Sequence, residues 1–165
     1  MRREDITLAV SHVGRVDSDD DPRQPTLSLL FDDDAETLAR RLESEDGETL
    51  SASEIDVTVR LHADLQDPDA TGVVAITNRI TGEYVLECNT VVKTVIEFAR
   101  AARRYGELTD DDALYCVELC AGADGGSETS ATTTVAAHEK RTLLVYGESG
   151  ELLREHSLIP SGVEI

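Results

Sequence analysis

TGVVAITNRITGEYVLECNTVVKTVIEFARAARRY, residues 71–105, is the stretch whose reading decides the fold. Gly72 to Ile80 and Glu83 to Cys88 are runs rich in apolar and β-branched residues. They flank Thr81-Gly82, so the pair reads as a β-hairpin. A helix follows, capped by Asn89 or Thr90, reaching about Tyr105 and ended by Gly106. Val92, Val95, Ile96, Ala99 and Ala102 recur at three- and four-residue steps and give that helix one apolar stripe. A hairpin feeding a helix sets the class: sheet and helix must bury these two faces against each other.

Working outward, the period-2 alternation of Ile6, Leu8 and Val10 makes Asp5 to Val13 a half-buried strand. The Asp- and Pro-rich stretch from Asp17 to Pro25 is a loop, and Thr26 to Phe31 a second strand. Asp32-Asp33-Asp34 offers cap oxygens and negative charge to a short helix from Ala35 to Glu43, with Leu38 and Leu42 inward. Ile55, Val57, Val59, Leu61 and Ala63 alternate through a strand from Ile55 to Leu65, and Gln66 to Thr71 is a turn. Downstream, Ala113 to Ala121 reads as a strand. Gly122 to Ala137, rich in Gly, Ser, Thr and Ala, reads as a flexible loop. Lys140 to Tyr146 and Glu151 to Ile159 form a closing hairpin around Ser149-Gly150. The apolar residues of the tail from Leu158 to Ile165 point to a segment that docks. The expectation is α+β: one domain over residues 1–165, a mostly antiparallel sheet of six to eight strands with two helices packed on one face, and a loop at about 122–137.

Charge speaks about the solvent. The chain holds 34 Asp and Glu against 15 Lys and Arg, a formal charge of -19, and only Lys93 and Lys140 among the bases are lysine. The screening length falls from roughly 8 Å at physiological ionic strength to about 3 Å at 1 M salt. A surface this acidic opposes its own compaction in dilute buffer and stays soluble in brine. Two other readings of the acidity are a decoy for a nucleic-acid-binding protein and a buffer for basic partners, and a mimic would gather its acids on one face of the fold. With 40% apolar residues the chain is not a disordered acidic one. Three cysteines without framework spacing fit a reducing cytoplasm. Met1 to Asp5 turns acidic at once, unlike a signal peptide.

Known chemical templates are absent. Asp17, Asp19 and Asp21 imitate a calcium loop, but Pro22 and Ser28 stand where Gly and the bidentate Glu belong. Gly147-Glu148-Ser149-Gly150 is not a nucleophile elbow, since Glu151 takes the last glycine position. His138-Glu139 lacks the second His of a zinc-protease helix. Cys116 and Cys120 on a strand stand roughly 13 Å apart at about 3.3 Å per residue, too far to share a zinc or a disulfide. His12, His62, His138 and His156 fall on strands, the place of ordinary polar-face residues. No catalytic set, metal site or cofactor is expected.

One surface stands out. Lys93, Glu97, Arg100 and Arg104 share the face of the 90–105 helix opposite its apolar stripe, with Arg103 beside it. Lys93, Arg100, Arg103 and Arg104 are therefore candidates for binding an anion or a partner, Arg forks being suited to phosphate or carboxylate. The structural alternative is that these bases pair with Glu97, Glu107 and nearby acids and complement the helix dipole.

Met1-Arg2-Arg3, the hairpin from Thr71 to Glu87 and the closing stretch from Glu139 to Ile165 resemble an uncharacterised family of small proteins from halophilic archaea. The resemblance implies a salt-loving cytoplasmic setting and brings no activity or functional residue. Together these readings leave the function unknown. The first expectation is a non-enzymatic interaction or adaptor module, with self-association as one form of that role, that requires monovalent salt for stability and binds neither nucleic acid nor membrane. The alternative is a small-ligand or anion-binding domain using the helix's basic face. The charge makes a direct prediction: the thermal midpoint should rise between about 0.1 M and about 3 M KCl as repulsion is screened. Circular dichroism reads this, and a flat or falling midpoint would contradict it.

Overall fold

Wherever apolar residues alternate with polar ones, this chain makes a strand. The computed structural model describes residues 5–13, 23–67, 69–122 and 133–159, which contain eight strands and two helices. Strands β1 (Ile6–Ser11), β2 (Thr26–Phe31), β6 (Tyr115–Ala121) and β7 (Thr133–Lys140) form one sheet in the order β1-β2-β6-β7. Strands β3 (Ile55–Leu61), β4 (Thr71–Asn78), β5 (Tyr84–Val91) and β8 (Leu144–Tyr146) form the second, in the order β5-β4-β3-β8. Helix α1 (Ala35–Arg41) packs on β6 and β7, while α2 (Val92–Leu108) packs on β5.

The α+β class, the strand number and the predominance of antiparallel pairs agree with the sequence, but the single sheet does not. Both sheets are mixed: β2 runs parallel to β6, and β3 parallel to β8. Short turns impose antiparallel pairing on chain neighbours, as in β4 and β5. The parallel pairs join strands far apart in sequence, where no turn signal exists. Nor do the helices share one sheet face, since α1 covers the first sheet and α2 an edge strand of the second.

The hairpin turn is as expected. Asn78 Oδ1 accepts from the backbone N–H groups of Ile80 and Thr81, and Gly82 takes the positive φ of 77° that a Cβ would resist. At the N-terminus of α1, Asp34 supplies the cap by accepting from Thr37 N–H at 2.8 Å, and that backbone hydrogen bond holds its carboxyl below the usual range. Helix α1 ends at Arg41, sooner than expected. Helix α2 differs more. Asn89 and Thr90 lie on β5 rather than at a cap, and Val91, still extended, takes the N-cap position with no side-chain cap. The Val92 N–H instead donates to the Ala70 carbonyl at 2.9 Å, so tertiary structure satisfies the helix end. Gly106 lies inside the helix, not at its end; a Cβ there would stand 2.5 Å from Leu114 Cδ2.

Two further expectations change. Residues 133–137 belong to β7 and pair with β6, because the β-branched run Thr133-Thr134-Val135 suits a strand. Residues 123–132 of the expected loop lie outside the described residues. The closing hairpin keeps its turn and a Tyr146–Leu152 bridge, but the return arm is interrupted by a 3-10 turn at Arg154–His156. Leu158 of the tail is buried and bridges Leu143, and residues 160–165 lie outside the described set.

Buried residues from both sheets and both helices join one apolar cluster. At its centre Tyr115 of β6 meets Phe98 of α2 edge-on, with ring centroids 5.4 Å apart and planes at 81°. Aliphatic side chains supply nearly everything else. Between the sheets, scarce cations act as braces to backbone carbonyls. Lys140 at the end of β7 donates at 2.7 Å to both Ala52 O and Ile55 O, next to the start of β3. Arg41 of α1 donates to Val85 O of β5 at 3.0 Å.

Replacing Lys140 by Met keeps the aliphatic stem and removes both charged hydrogen bonds. With a hydrogen bond to a charged group contributing about 1.5–3 kcal/mol, discounted for a half-exposed amine, the variant should lose about 2 kcal/mol. That corresponds to a midpoint lower by about 4–8 °C in a chain of this size. An unchanged midpoint would show that the brace is idle.

Candidate functional site

The four bases expected to form a site share one helix but not one fate. Lys93 stands 3.9 Å from Glu97 and Arg104 3.1 Å from Glu107, both exposed pairs within α2. Arg103 turns aside and donates to the carbonyls of Glu155 at 3.2 Å and Ser157 at 3.1 Å, fastening the 3-10 turn of the C-terminal segment to the helix. Arg100 is exposed and has no partner among the described residues. The geometry therefore gives these bases neighbours of their own and leaves one guanidinium open to solvent.

A different surface has the unusual chemistry. β1 and β5 are edge strands of their respective sheets among the described residues, and they lie side by side without forming a ladder. At their closest, the buried Cys88 thiol donates to the Ile6 carbonyl at 3.3 Å. Beyond that contact a groove of about 420 Å³ opens between the sheets. Ile6, Thr7 and Leu8 line it from β1; Asn89, Thr90 and Val91 from β5; Thr71 and Thr94 close its end. No residue of the lining is charged, in a chain where 30% are. Val91, 48% exposed, is one of three large apolar residues left open to solvent among the described residues. The signal was present in the sequence, where Ile6–Ser11 and Cys88–Val92 carry no charge. What it lacked was the knowledge that these segments are neighbours.

The outward face of the second sheet holds another hollow, of about 430 Å³. Thr58 and Arg60 of β3 point outward between buried Val57, Val59 and Leu61, as strand alternation requires. Val73 and Ala75 of β4 make its floor, and although they face away from the core they are only 7% and 6% exposed. Tyr84, Arg60 and Glu148 form walls, and Tyr146 stands beside the adjoining hollow over Thr58 and Thr77.

The remaining candidates are quiet. Burial pushes the Cys88 thiol up to about 11, and burial likewise raises Cys116 and Cys120, so the thiols stay protonated and unreactive near neutrality. Cys116 and Cys120 both lie on β6, with the strand spacing that keeps them apart. His138 on β7 has a buried Nε2 with no hydrogen-bond partner, and burial, then the charge of Lys140, hold its imidazole below the ordinary value. His62 borders the outward hollow just after β3, and His12 and His156 lie elsewhere; no three His, Cys, Asp or Glu among the described residues are placed to hold a metal. No helix among those residues is long and apolar enough to cross a membrane.

Two mixed sheets sharing one core, with a neutral groove between their edges, define an α+β protein whose open surfaces are sheet edge and sheet face. Over residues 1–165 the chain matches a family of unknown function, DUF5793, and belongs to it. No curated protein and no solved structure matches it.

Proposed function

We propose that this protein is a non-catalytic interaction module that pairs with a second copy of itself through the groove between β1 and β5, in a salt-rich archaeal cytoplasm. The observation that carries the reading is the absence of charge from that groove. Two copies of a chain with a net charge of -19 repel wherever acidic surfaces meet. The groove lets them approach without bringing carboxylates together. It also presents what a partner strand needs: two strand edges without a ladder between them, and an exposed Val91. A two-fold axis across such a patch makes it self-complementary, the commonest arrangement of soluble homo-oligomers. High salt favours the pairing twice, by screening the remaining repulsion and by strengthening apolar burial. The acidic composition and the resemblance to halophilic proteins support that setting.

Sedimentation in about 2 M KCl tests this, at a concentration of about 100 μM, well above a micromolar Kd. The wild-type chain should sediment as a dimer. Thr7→Glu and Val91→Glu, each placing carboxylates across the two-fold axis, should sediment as monomers with native circular dichroism. A monomeric wild type, or dimers undisturbed by both substitutions, would overturn the reading.

A further inference from the structure

We propose that the hollow on the outward face of the second sheet is a binding site for a small zwitterion, an α-amino acid with a flat apolar side chain. Three charged side chains border this hollow, and one of them, Glu87 of β5, is already engaged in an interaction of its own. The other two are Arg60 on β3 and Glu148 in the turn after β8. Neither takes part in any ion pair of the described residues, which join Arg40 to Glu36, Arg79 to Asp56, Lys93 to Glu97 and Arg104 to Glu107. In a chain with more than two acids for every base, an arginine that shares a hollow with Glu87 and Glu148 yet forms no ion pair among the described residues is a vacancy. A guanidinium offers a carboxylate two parallel donors. Glu148 offers an ammonium group its acceptor from across the hollow.

Val73 and Ala75 give the surface between those charges an apolar floor, and Thr58, His62 and Glu87 complete the lining. In register, Arg60 lies opposite Val73 on one side and Tyr146 on the other, while Thr58 lies opposite Ala75. The small residues Thr58 and Ala75 leave a dip in the sheet face, and the longer Arg60 and Tyr84 rise around it. Val73 and Ala75 lie at the bottom, already nearly dry. Tyr84, 64% exposed, is the most open aromatic ring in the chain and stands at the rim, where a flat side chain can stack on it. A hollow of about 430 Å³ falls within the range of small-molecule sites.

Each part selects something different. A carboxylate without an ammonium leaves Glu148 unpaired and close to the added negative charge. An ammonium without a carboxylate leaves Arg60 unpaired. A zwitterion satisfies both and adds no net charge to an already acidic molecule. Screening at molar salt weakens long-range attraction but spares short hydrogen-bonded contacts, and it strengthens the apolar contact with the floor. The site is separate from the groove between β1 and β5, so it stands or falls independently of self-association.

The test uses L-phenylalanine as the probe, with benzoate and phenethylamine as its anionic and cationic halves. Binding is read in about 2 M KCl from chemical-shift changes of the Ala75 and Thr58 amides. L-Phenylalanine should bind saturably with a Kd of about 1 mM or tighter, and each half at least tenfold more weakly. Arg60→Met should weaken phenylalanine at least tenfold without weakening phenethylamine, and Glu148→Gln should do the converse, weakening phenylalanine without weakening benzoate. Arg100→Met on the far helix serves as a control for lost positive charge and should change nothing. Because Arg60 and Glu148 are exposed, the variants should fold, and their spectra report it directly. No saturable shift with phenylalanine, equal binding of one half alone, or binding indifferent to Arg60→Met would overturn the proposal.

Discussion

The hydroxyl of Tyr115 donates to the Thr142 carbonyl at 2.6 Å, and much of the structure depends on that contact. Tyr115 is fully buried on β6, its ring edge rests against Phe98 of α2, and Thr142 lies just ahead of β8. One side chain therefore touches the first sheet, the long helix and the segment that enters the second sheet. A core with so few aromatics has no second cluster to take over this role. Burial pushes the phenol far above its ordinary value, so it remains a donor at every pH at which the protein is folded.

Around this centre the chain deploys its scarce cations unusually. Arg41, Arg103 and Lys140 donate to backbone carbonyls on segments distant in sequence, rather than to the abundant carboxylates. A surface ion pair contributes little and loses more in salt. A charged donor to a partly buried carbonyl is shielded from ions and satisfies a backbone group that would otherwise be costly to bury. That difference explains why Arg103, which the helical spacing placed on a basic binding face, is occupied with the C-terminal segment.

Local physics was legible in the sequence, and long-range pairing was not. The alternation of Ile55, Val57, Val59 and Leu61, the turn at Thr81-Gly82 and the apolar stripe from Val92 to Ala102 each reported their element, because the signal lies within a few residues. The parallel pairing of Thr26–Phe31 with Tyr115–Ala121 has no such signal, and it splits one expected sheet into two. Asn89 and Thr90 misled for a related reason: both have capping side chains, yet the Ala70 carbonyl, nineteen or more residues away, receives the helix's first N–H. The groove and the hollow were illegible for the same cause. Thr7 and Val91, or Arg60 and Glu148, become neighbours only through strand order.

If one core unites both sheets, a defect at Tyr115 must be felt equally in each. Native-state amide exchange of Tyr115→Phe measures this directly. Removing the hydroxyl leaves the Thr142 carbonyl unpaired, at a cost of about 1–2 kcal/mol. The slowest-exchanging amides of β6 in the first sheet and of β3 and β4 in the second should lose that same amount of protection. Loss confined to β6, with β3 and β4 unchanged, would show that the sheets unfold independently and contradict the account.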